Sequence, residues 1–366
     1  MRTVIHVLDN FATGGCQTCL RAHAAFNPKP RRHIYVSLRS QAGQISVESP
    51  DVYIFPETSR YSLSPIFRLL KLTRKAGPAI LHCYLFKAQV CGLLVRLLRP
   101  STRLIFHESG RILNREDESW AEAILYRQFL RISARGVDLF IANSKHTLST
   151  LQKFSAIAAR PSVVVYNSIL QNVGIPSSIE RRKAREALGL PINAFIFGFA
   201  GRLVERKGWR DFVSCADRFR DRADVYWLIA GDGPDRNLLE QLKRQLGLER
   251  IINIGFAQSM DPFYRSIDAC IIPSHWEPHG LVQIEAQSYG IPVIAADVPG
   301  MNETLDSEKN ALLFEPRDLP SLYNRIASIL SNPSLLAALS AASIQNAIKF
   351  SLKSYHDDLE RCYERF

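Results

Sequence analysis

Seven cysteines stand in 366 residues, an odd number, and only Cys16 and Cys19 lie close together. That spacing supports no disulfide framework and points to a reducing compartment. No secretory signal is visible, since MRTVIHVLD reaches an acid at Asp9 before an apolar region of ~7–15 residues can form. No uncharged apolar run approaches the ~20 residues of a spanning helix. The best candidate, VCGLLVRLL, is short and carries Arg96. These absences predict a cytoplasmic protein.

Several catalytic signatures are missing too. The nine histidines are scattered and HExxH does not occur. No Asp-x-Asp stands at a strand end to carry a divalent ion and its diphosphate. GxSxG and Gly-Lys-Ser/Thr are absent, which excludes a nucleophile elbow and a Walker loop. Glu116-Asp117-Glu118 reads as the acidic first turn of the following helix. The expectation is an enzyme with no metal site and no bound cofactor.

Hydrophobic residues make up 46% of the chain and charged residues 22%, an ordinary globular balance that excludes wholesale disorder, collagen and coiled coil. A domain holds roughly 100–200 residues, so the length predicts two. Strand patterns fall at Thr3–Leu8, His33–Leu38, Asp51–Phe55, Ile80–Leu85, Arg103–Glu108, Asp138–Asn143 and Ser162–Asn167. Helical spacing falls at Gln17–Phe26, Pro65–Lys75, Lys87–Leu98, Trp120–Arg135 and Lys145–Phe154. A second series has strands at Phe195–Gly201, Val225–Gly231, Ile251–Phe256, Ala269–Pro273, Pro292–Ala296 and Ala311–Phe314. Its helices are Trp209–Arg220, Asp235–Leu246, Leu281–Tyr289 and Leu319–Leu330.

This alternation predicts an α/β protein of two doubly wound parallel sheets, with ligands at the carboxyl ends of the strands in the cleft between them. Residues 168–180 lose the alternation and read as the linker. The predicted domains are 1–170 and 181–345, with 346–366 helical and crossing back to the first.

Net charge is +11, unevenly spread: residues 1–179 hold 23 Lys+Arg against 10 Asp+Glu, and the remainder 23 against 25. The basic half should face something anionic. Pro65–Lys75 sets Ile66, Phe67, Leu69 and Leu70 beside Arg68, Lys71, Arg74 and Lys75, and Arg127, Arg131 and Arg135 recur on one helix face. Both read as lipid-facing surfaces or as solvated faces over an apolar core. No recognition motif for nucleic acid accompanies them.

Four places carry chemistry. Gly14 and Gly15 stand at the first strand-to-helix turn, where backbone N–H groups can bind phosphate. Cys16 and Cys19 have redox-motif spacing but read as two ordinary buried or half-buried thiols at a helix start. In GFAGRLVERKGW (198–209), Arg202 and Lys207 flank a loop leading into a helix, which suits a diphosphate. In 271–300, a loop with Glu277, Pro278 and Gly280 precedes a helix from about Leu281. The amides of Gly280, Leu281 and Val282 there would be unpaired and partly positive. Glu277 and Glu285 flank them, so one carboxylate can hold a sugar and the other a ribose. A glycosidase acid–base pair is the alternative, needing carboxyl groups ~5–9.5 Å apart. His107 closes the buried strand RLIFHE, as a site residue or a packed core histidine, and Asn143, Ser144 and Tyr166-Asn167-Ser168 end the next two, as site residues or helix caps.

Together these segments resemble the retaining glycosyltransferase family 4 (glycosyl transferases group 1), with its GT-B fold of two Rossmann-like domains. GGCQ (14–17) resembles the family's glycine loop, GRLVERKG (201–208) its diphosphate-gripping segment, and GDGP (231–234) its nucleotide-side loop. Glu277 and Glu285 reproduce its E-x7-E signature. The resemblance covers nearly the whole chain and is strongest from 195 to 316. Departures are His279 for Phe, Tyr166-Asn167-Ser168 for P-N-G, Pro299-Gly300 for Gly-Gly, and NALLF for N-G-x-L-F.

The resemblance implies a metal-independent, retaining hexosyltransferase that moves a sugar from a nucleotide diphosphate donor. Arg202 and Lys207 would neutralise the leaving diphosphate, Glu285 hold the ribose and Glu277 the sugar, with His107 reaching it from the first domain. Gly14, Gly15 and the Gly280–Val282 amides would complete the phosphate cradle. Gly231 and His279 would line the donor, with the base near Ile254–Ala257, including Phe256 and Ala257. The implied acceptor is a glycan or lipid-linked glycolipid of surface polysaccharide or lipopolysaccharide assembly, met at the inner face of the cytoplasmic membrane. A nucleotide-sugar epimerase on this fold and an inactive sugar-nucleotide or membrane binder are the alternatives.

Overall fold

The computed structural model describes residues 1–11, 14–26, 31–40, 47, 49, 51–57, 59, 62–110, 120–169 and 173–366. They form two compact units, Met1–Leu170 with Leu352–Phe366, and Gln171–Ser351.

The first unit runs β1 (Thr3–Leu8), α1 (Gly15–Phe26), β2 (His33–Ser37), β3 (Val52–Ile54), α2 (Ser64–Ala76), β4 (Ala79–Tyr84), α3 (Leu85–Leu98), β5 (Arg103–Glu108), α4 (Trp120–Ser133), β6 (Leu139–Ala142), α5 (Lys145–Gln152), α6 (Ser155–Ala158) and β7 (Ser162–Val164). The strand order is β3-β2-β1-β4-β5-β6-β7, parallel at every pairing. Its central strands are apolar almost throughout because both faces are covered. Ile5, Leu81, Leu104 and Phe140 turn to one core, and their neighbours Val4, Ile80, Ile105 and Leu139 to another.

The second unit runs α7 (Ser178–Ala187), β8 (Phe195–Ala200), α8 (Trp209–Arg218), β9 (Val225–Ala230), α9 (Arg236–Leu246), β10 (Ile251–Asn253), α10 (Asp261–Ser266), β11 (Ala269–Ile272), α11 (Val282–Ser288), β12 (Val293–Ala296), β13 (Leu312–Phe314), α12 (Leu319–Ser331) and α13 (Pro333–Ile348). Its order is β10-β9-β8-β11-β12-β13, again all parallel. The order reverses between β8 and β11, so the loops leaving these neighbours diverge and open a crevice at their carboxyl ends. The last helix, α14 (Leu352–Tyr363), belongs to the first unit, where Tyr355, Leu359 and Tyr363 pack on Val4, Ile80 and Ile105.

Several expectations need correction. The predicted linker overlaps α7, which starts inside it. Ser177 caps that helix by accepting from Glu180 N at 3.3 Å, while the Glu180 carboxylate accepts from Ser177 N at 2.9 Å. This capping box was legible in the sequence as Ser-x-x-Glu. Ser177→Ala should cost about 1 kcal/mol, read by denaturant unfolding of the full chain. Helix α10 was also missed, because six residues carry too little periodicity. The strand expected at Ile251–Phe256 stops at Asn253, whose side chain accepts from Gly255 N at 2.9 Å and turns the chain out. The Lys145–Phe154 helix ends at Gln152, and Ser155–Ala158 forms a separate turn.

Against the expectation about spanning helices, Pro333–Tyr363 is 31 residues and, by length and composition alone, long and apolar enough to cross a membrane. It is two helices, α13 against the second unit's core and α14 on the first unit's sheet. The acidic run Glu116–Glu118 lies outside the described residues.

Candidate active site

Both carboxyl-end loops of the second unit's reversal point carry the expected groups. Leaving β8, the chain passes Gly201 and the exposed Arg202, then makes a short 3-10 turn over Glu205–Lys207. Leaving β11, it carries His275 to Gly280 into α11. Lys207 Nζ donates to Glu277 Oε2, so the two loops are joined by an ion pair. Glu277 is 8% exposed, and a carboxylate so placed needs such a partner.

Backbone contacts hold the loops in this register. Gly208 ends the 3-10 turn at φ +68° and starts α8; a Cβ there would overlap the Pro273 carbonyl oxygen. His275 N donates to Arg206 O at 2.8 Å, and His275 Nε2 lies 2.9 Å from Asp211 Oδ2. Gly300, at φ +92°, sits where a Cβ would be 2.5 Å from the carbonyl oxygens of Glu277 and Pro278. Pro299-Gly300 therefore keeps the one glycine that this close approach requires.

Glu285 lies on α11 and is half-buried, and Tyr264 Oη donates to its Oε2 at 2.7 Å. Burial pushes its carboxyl up from 4.5, and the Tyr264 hydrogen bond opposes the rise. Tyr264 comes from α10, which the sequence reading missed. Gln283 was missed as well: its Nε2 donates to His279 O at 2.6 Å and to Thr304 Oγ1 at 3.0 Å, fixing the start of α11. No local pattern announces the Tyr264–Glu285 or Gln283–Thr304 contact, since each joins residues 21 apart.

His279 is fully buried, which lowers its imidazole pKa to about 4, although Glu277 nearby pulls the other way. It is therefore neutral at neutral pH. Its ring meets Phe350 at 6.2 Å edge to face. Gly280, Leu281 and Val282 are half-buried at the start of α11. Gly231 follows β9 and packs against the Gly201 carbonyl. Phe256 is 56% exposed beyond β10, with Ala257 half-buried beside it. The second unit thus brings Arg202, Lys207, Gly231, Glu277, His279 and the Gly280–Val282 amides onto the carboxyl-end loops of β8, β9 and β11, with Glu285 on α11.

The remaining residues lie in the first unit. Gly14 and Gly15 stand at the start of α1, where Thr18 N donates to Gly14 O at 2.8 Å. His107 ends β5 and is 2% exposed, stacked on His82 at 5.2 Å and Tyr84 at 4.8 Å. His82 Nε2 lies 3.1 Å from His107 Nδ1. Burial lowers the His107 pKa to about 3, so it acts as a neutral imidazole. Glu108 takes a hydrogen bond from Tyr126 Oη. Ser144 is a helix cap, accepting from Thr147 N at 3.0 Å, and Asn143 Oδ1 accepts from Thr147 Oγ1 at 3.0 Å. Cys16 and Cys19 lie in α1 without a disulfide, and Cys19 Sγ donates to Ser168 O at 3.6 Å. The histidines do not stay scattered: His6, His23, His33, His82, His107 and His356 gather around the first sheet.

Comparison with known proteins gives the family. Residues 180–364 match the model for glycosyl transferases group 1, and residues 2–169 match glycosyltransferase family 4. The lipopolysaccharide core biosynthesis mannosyltransferase LpsB of Rhizobium meliloti is 28% identical over 283 residues, 74% of this chain and 75% of LpsB. A D-inositol 3-phosphate glycosyltransferase of Saccharomonospora viridis is 33% identical over 198 residues, 50% of this chain and 46% of that protein. An uncharacterized glycosyltransferase of Methanocaldococcus jannaschii is matched over 40% of its length. The chain thus spans about half the length of most curated relatives it matches. Anabaena HepE, solved with UDP and glucose, superposes with a TM-score of 0.85 at 21% identity over the whole of both chains. The sucrose-phosphate synthase of Thermosynechococcus elongatus gives 0.83 at 20% identity, over 100% of this chain and 99% of that one. With both halves matched and the GT-B fold shared, the chain belongs to the glycosyl transferases group 1, the family 4 glycosyltransferases.

Proposed function

We propose that this glycosyltransferase moves a hexosyl group from a nucleotide diphosphate sugar to a lipid-linked or surface-polysaccharide acceptor, with retention and without a catalytic metal. The Lys207–Glu277 pair at the β8/β11 reversal point carries the reading. A diphosphate entering there takes Lys207 and Arg202 as partners, and Glu277 turns to the sugar hydroxyls. Fixed cations and the Gly280–Val282 amides stabilise charge on the leaving diphosphate. Glu285 takes the ribose hydroxyls, and Phe256 offers a ring to the base. Within the first unit, His107 is the neutral hydrogen-bonding group and Gly14-Gly15 the turn we assign to substrate binding.

Thermal-shift screening against UDP, GDP, ADP and their sugars tests donor class, because binding raises stability by mass action. Both UDP and GDP types belong in the panel, since HepE is solved with UDP and LpsB is a mannosyltransferase. Turnover should not rise when Mg2+ or Mn2+ is added to protein and donor. Product analysis with donor alone separates an epimerase, which would interconvert donors with no acceptor.

Glu285→Gln should weaken nucleotide affinity about 10- to 100-fold, the worth of a charge-assisted hydrogen bond, as read by calorimetry with the preferred nucleotide. The same change should raise stability. A carboxyl whose folded pKa is raised binds its proton more tightly folded than unfolded, so it costs stability increasingly as pH climbs from 4.5 through the folded pKa. Glu285→Gln removes that cost at neutral pH.

Membrane association at the cytoplasmic face belongs to the same proposal. Ile66, Leu69 and Leu70 are buried in the core, so they are unavailable to lipid. Phe67 is 67% exposed on α2 beside exposed Arg68, Lys71 and Arg74. On α4, Leu125 and Ile132 are exposed near Arg131 and Arg135. Co-sedimentation with anionic but not zwitterionic vesicles, lost at high salt, is the expected result.

A further inference from the structure

The histidines of the first unit are unlike a packed core. One ring nitrogen of each of His6, His23 and His33 lies within 4.8 Å of the others, and all three residues are buried. His6 Nε2 faces His33 Nδ1 at 3.0 Å, and His23 Nε2 faces His356 Nδ1 at 3.2 Å. Two imidazole nitrogens facing each other hold either one proton or one metal ion between them. Tetrahedral zinc with Zn–N ~2.0–2.1 Å sets its nitrogens about 3.3 Å apart, close to both separations.

The second nitrogen of His6, His23 and His33 each meets an oxygen. His6 Nδ1 lies 3.1 Å from Tyr84 Oη, His23 Nδ1 3.0 Å from Tyr35 Oη, and His33 Nε2 3.2 Å from Glu360 Oε1. Glu360 is held by Arg31 Nε at 3.0 Å. Carboxylate and hydroxyl partners on the far nitrogen orient metal-binding imidazoles and fix their tautomer. The donors are nitrogen only, a set suited to zinc and its neighbours rather than to magnesium or calcium.

We propose that His6, His23 and His33 bind zinc, and that His356, whose Nδ1 lies 3.2 Å from His23 Nε2 but outside the three-histidine cluster, closes on the ion as fourth ligand and fastens α14 to the sheet of the first unit. Three ligands come from β1, α1 and β2, and the fourth from the C-terminal helix, so the ion would join the two ends of the chain. With His356 as fourth ligand no position would stay open, which makes the site structural and leaves transfer chemistry to the second unit. It stands apart from the proposed function, because no ligand belongs to the donor site.

The test uses the full chain, stripped with chelator and reloaded. Zinc at about a hundredfold over its Kd should raise Tm by about 5–10 °C, with one ion per chain retained through gel filtration. His33→Gln and His356→Gln should lose both the ion and the shift. Cobalt(II) on the wild-type chain should give the visible ligand-field bands of tetrahedral nitrogen coordination, which decides the matter if the variants fail to fold. Zinc retained equally by both variants, an unmoved Tm, or cobalt without those bands would overturn the site and leave a proton-sharing imidazole network.

Discussion

Lys207→Met should lower turnover by about 10²–10³, the scale seen when one fixed donor to a developing oxyanion is removed. It should also cost stability. Glu277 is 8% exposed, and losing its cation leaves a nearly buried carboxylate without its ion partner. That penalty is about 1–3 kcal/mol, more where the charge is fully desolvated. Glu277→Gln should also abolish most transfer but leave Lys207, which is better exposed and can turn to solvent. The double variant should then recover much of the lost stability and none of the activity, since the amide and the thioether leave no charge to desolvate. Steady-state kinetics with the identified donor, beside denaturant unfolding of all four proteins, reads both effects. Full turnover in either single variant removes the pair from the site.

Gly208→Ala should be the most damaging small substitution in the second unit. The residue sits at φ +68°, which costs an L-amino acid roughly 1–2 kcal/mol, and its Cβ would overlap the Pro273 carbonyl. Neither the 3-10 turn nor the end of β11 can move alone, because Lys207 and Glu277 tie the same loops together. The expected loss is about 3 kcal/mol or more, a Tm fall of about 6–12 °C for a unit of this size. If the variant stays folded, the loops must have separated, and nucleotide affinity should fall with stability. Gly247→Ala is the matched control: it has φ +65° but nothing within 4 Å of its Cβ, so it should pay the conformational cost alone. Equal losses in the two variants would show that the contact with Pro273 contributes nothing.

Local pattern carried a large share of this protein. Runs such as FIFGFA and RLIFHE are buried on both faces, so they are apolar nearly throughout and read as strands without any partner in view. The spacing of Arg202, Lys207, Glu277 and Glu285 was likewise visible, because each segment of the proposed donor site is a short contiguous stretch following a strand. Where local signals were weak, the reading slipped. Six residues hid α10, and an Asx turn at Asn253 cut a strand short.

Other features depend on which distant segments meet. Tyr264 reaching Glu285, Gln283 reaching Thr304, and Gly300 lying against Glu277 are contacts between elements far apart in the chain. The histidines show this most plainly. His6, His23, His33 and His356 look isolated in sequence, and parallel strand pairing with a returning C-terminal helix brings them together. Strand identity and loop chemistry are short-range properties written in neighbouring residues. Which strands pair, and what the last helix covers, follow from long-range packing that only the folded chain reveals.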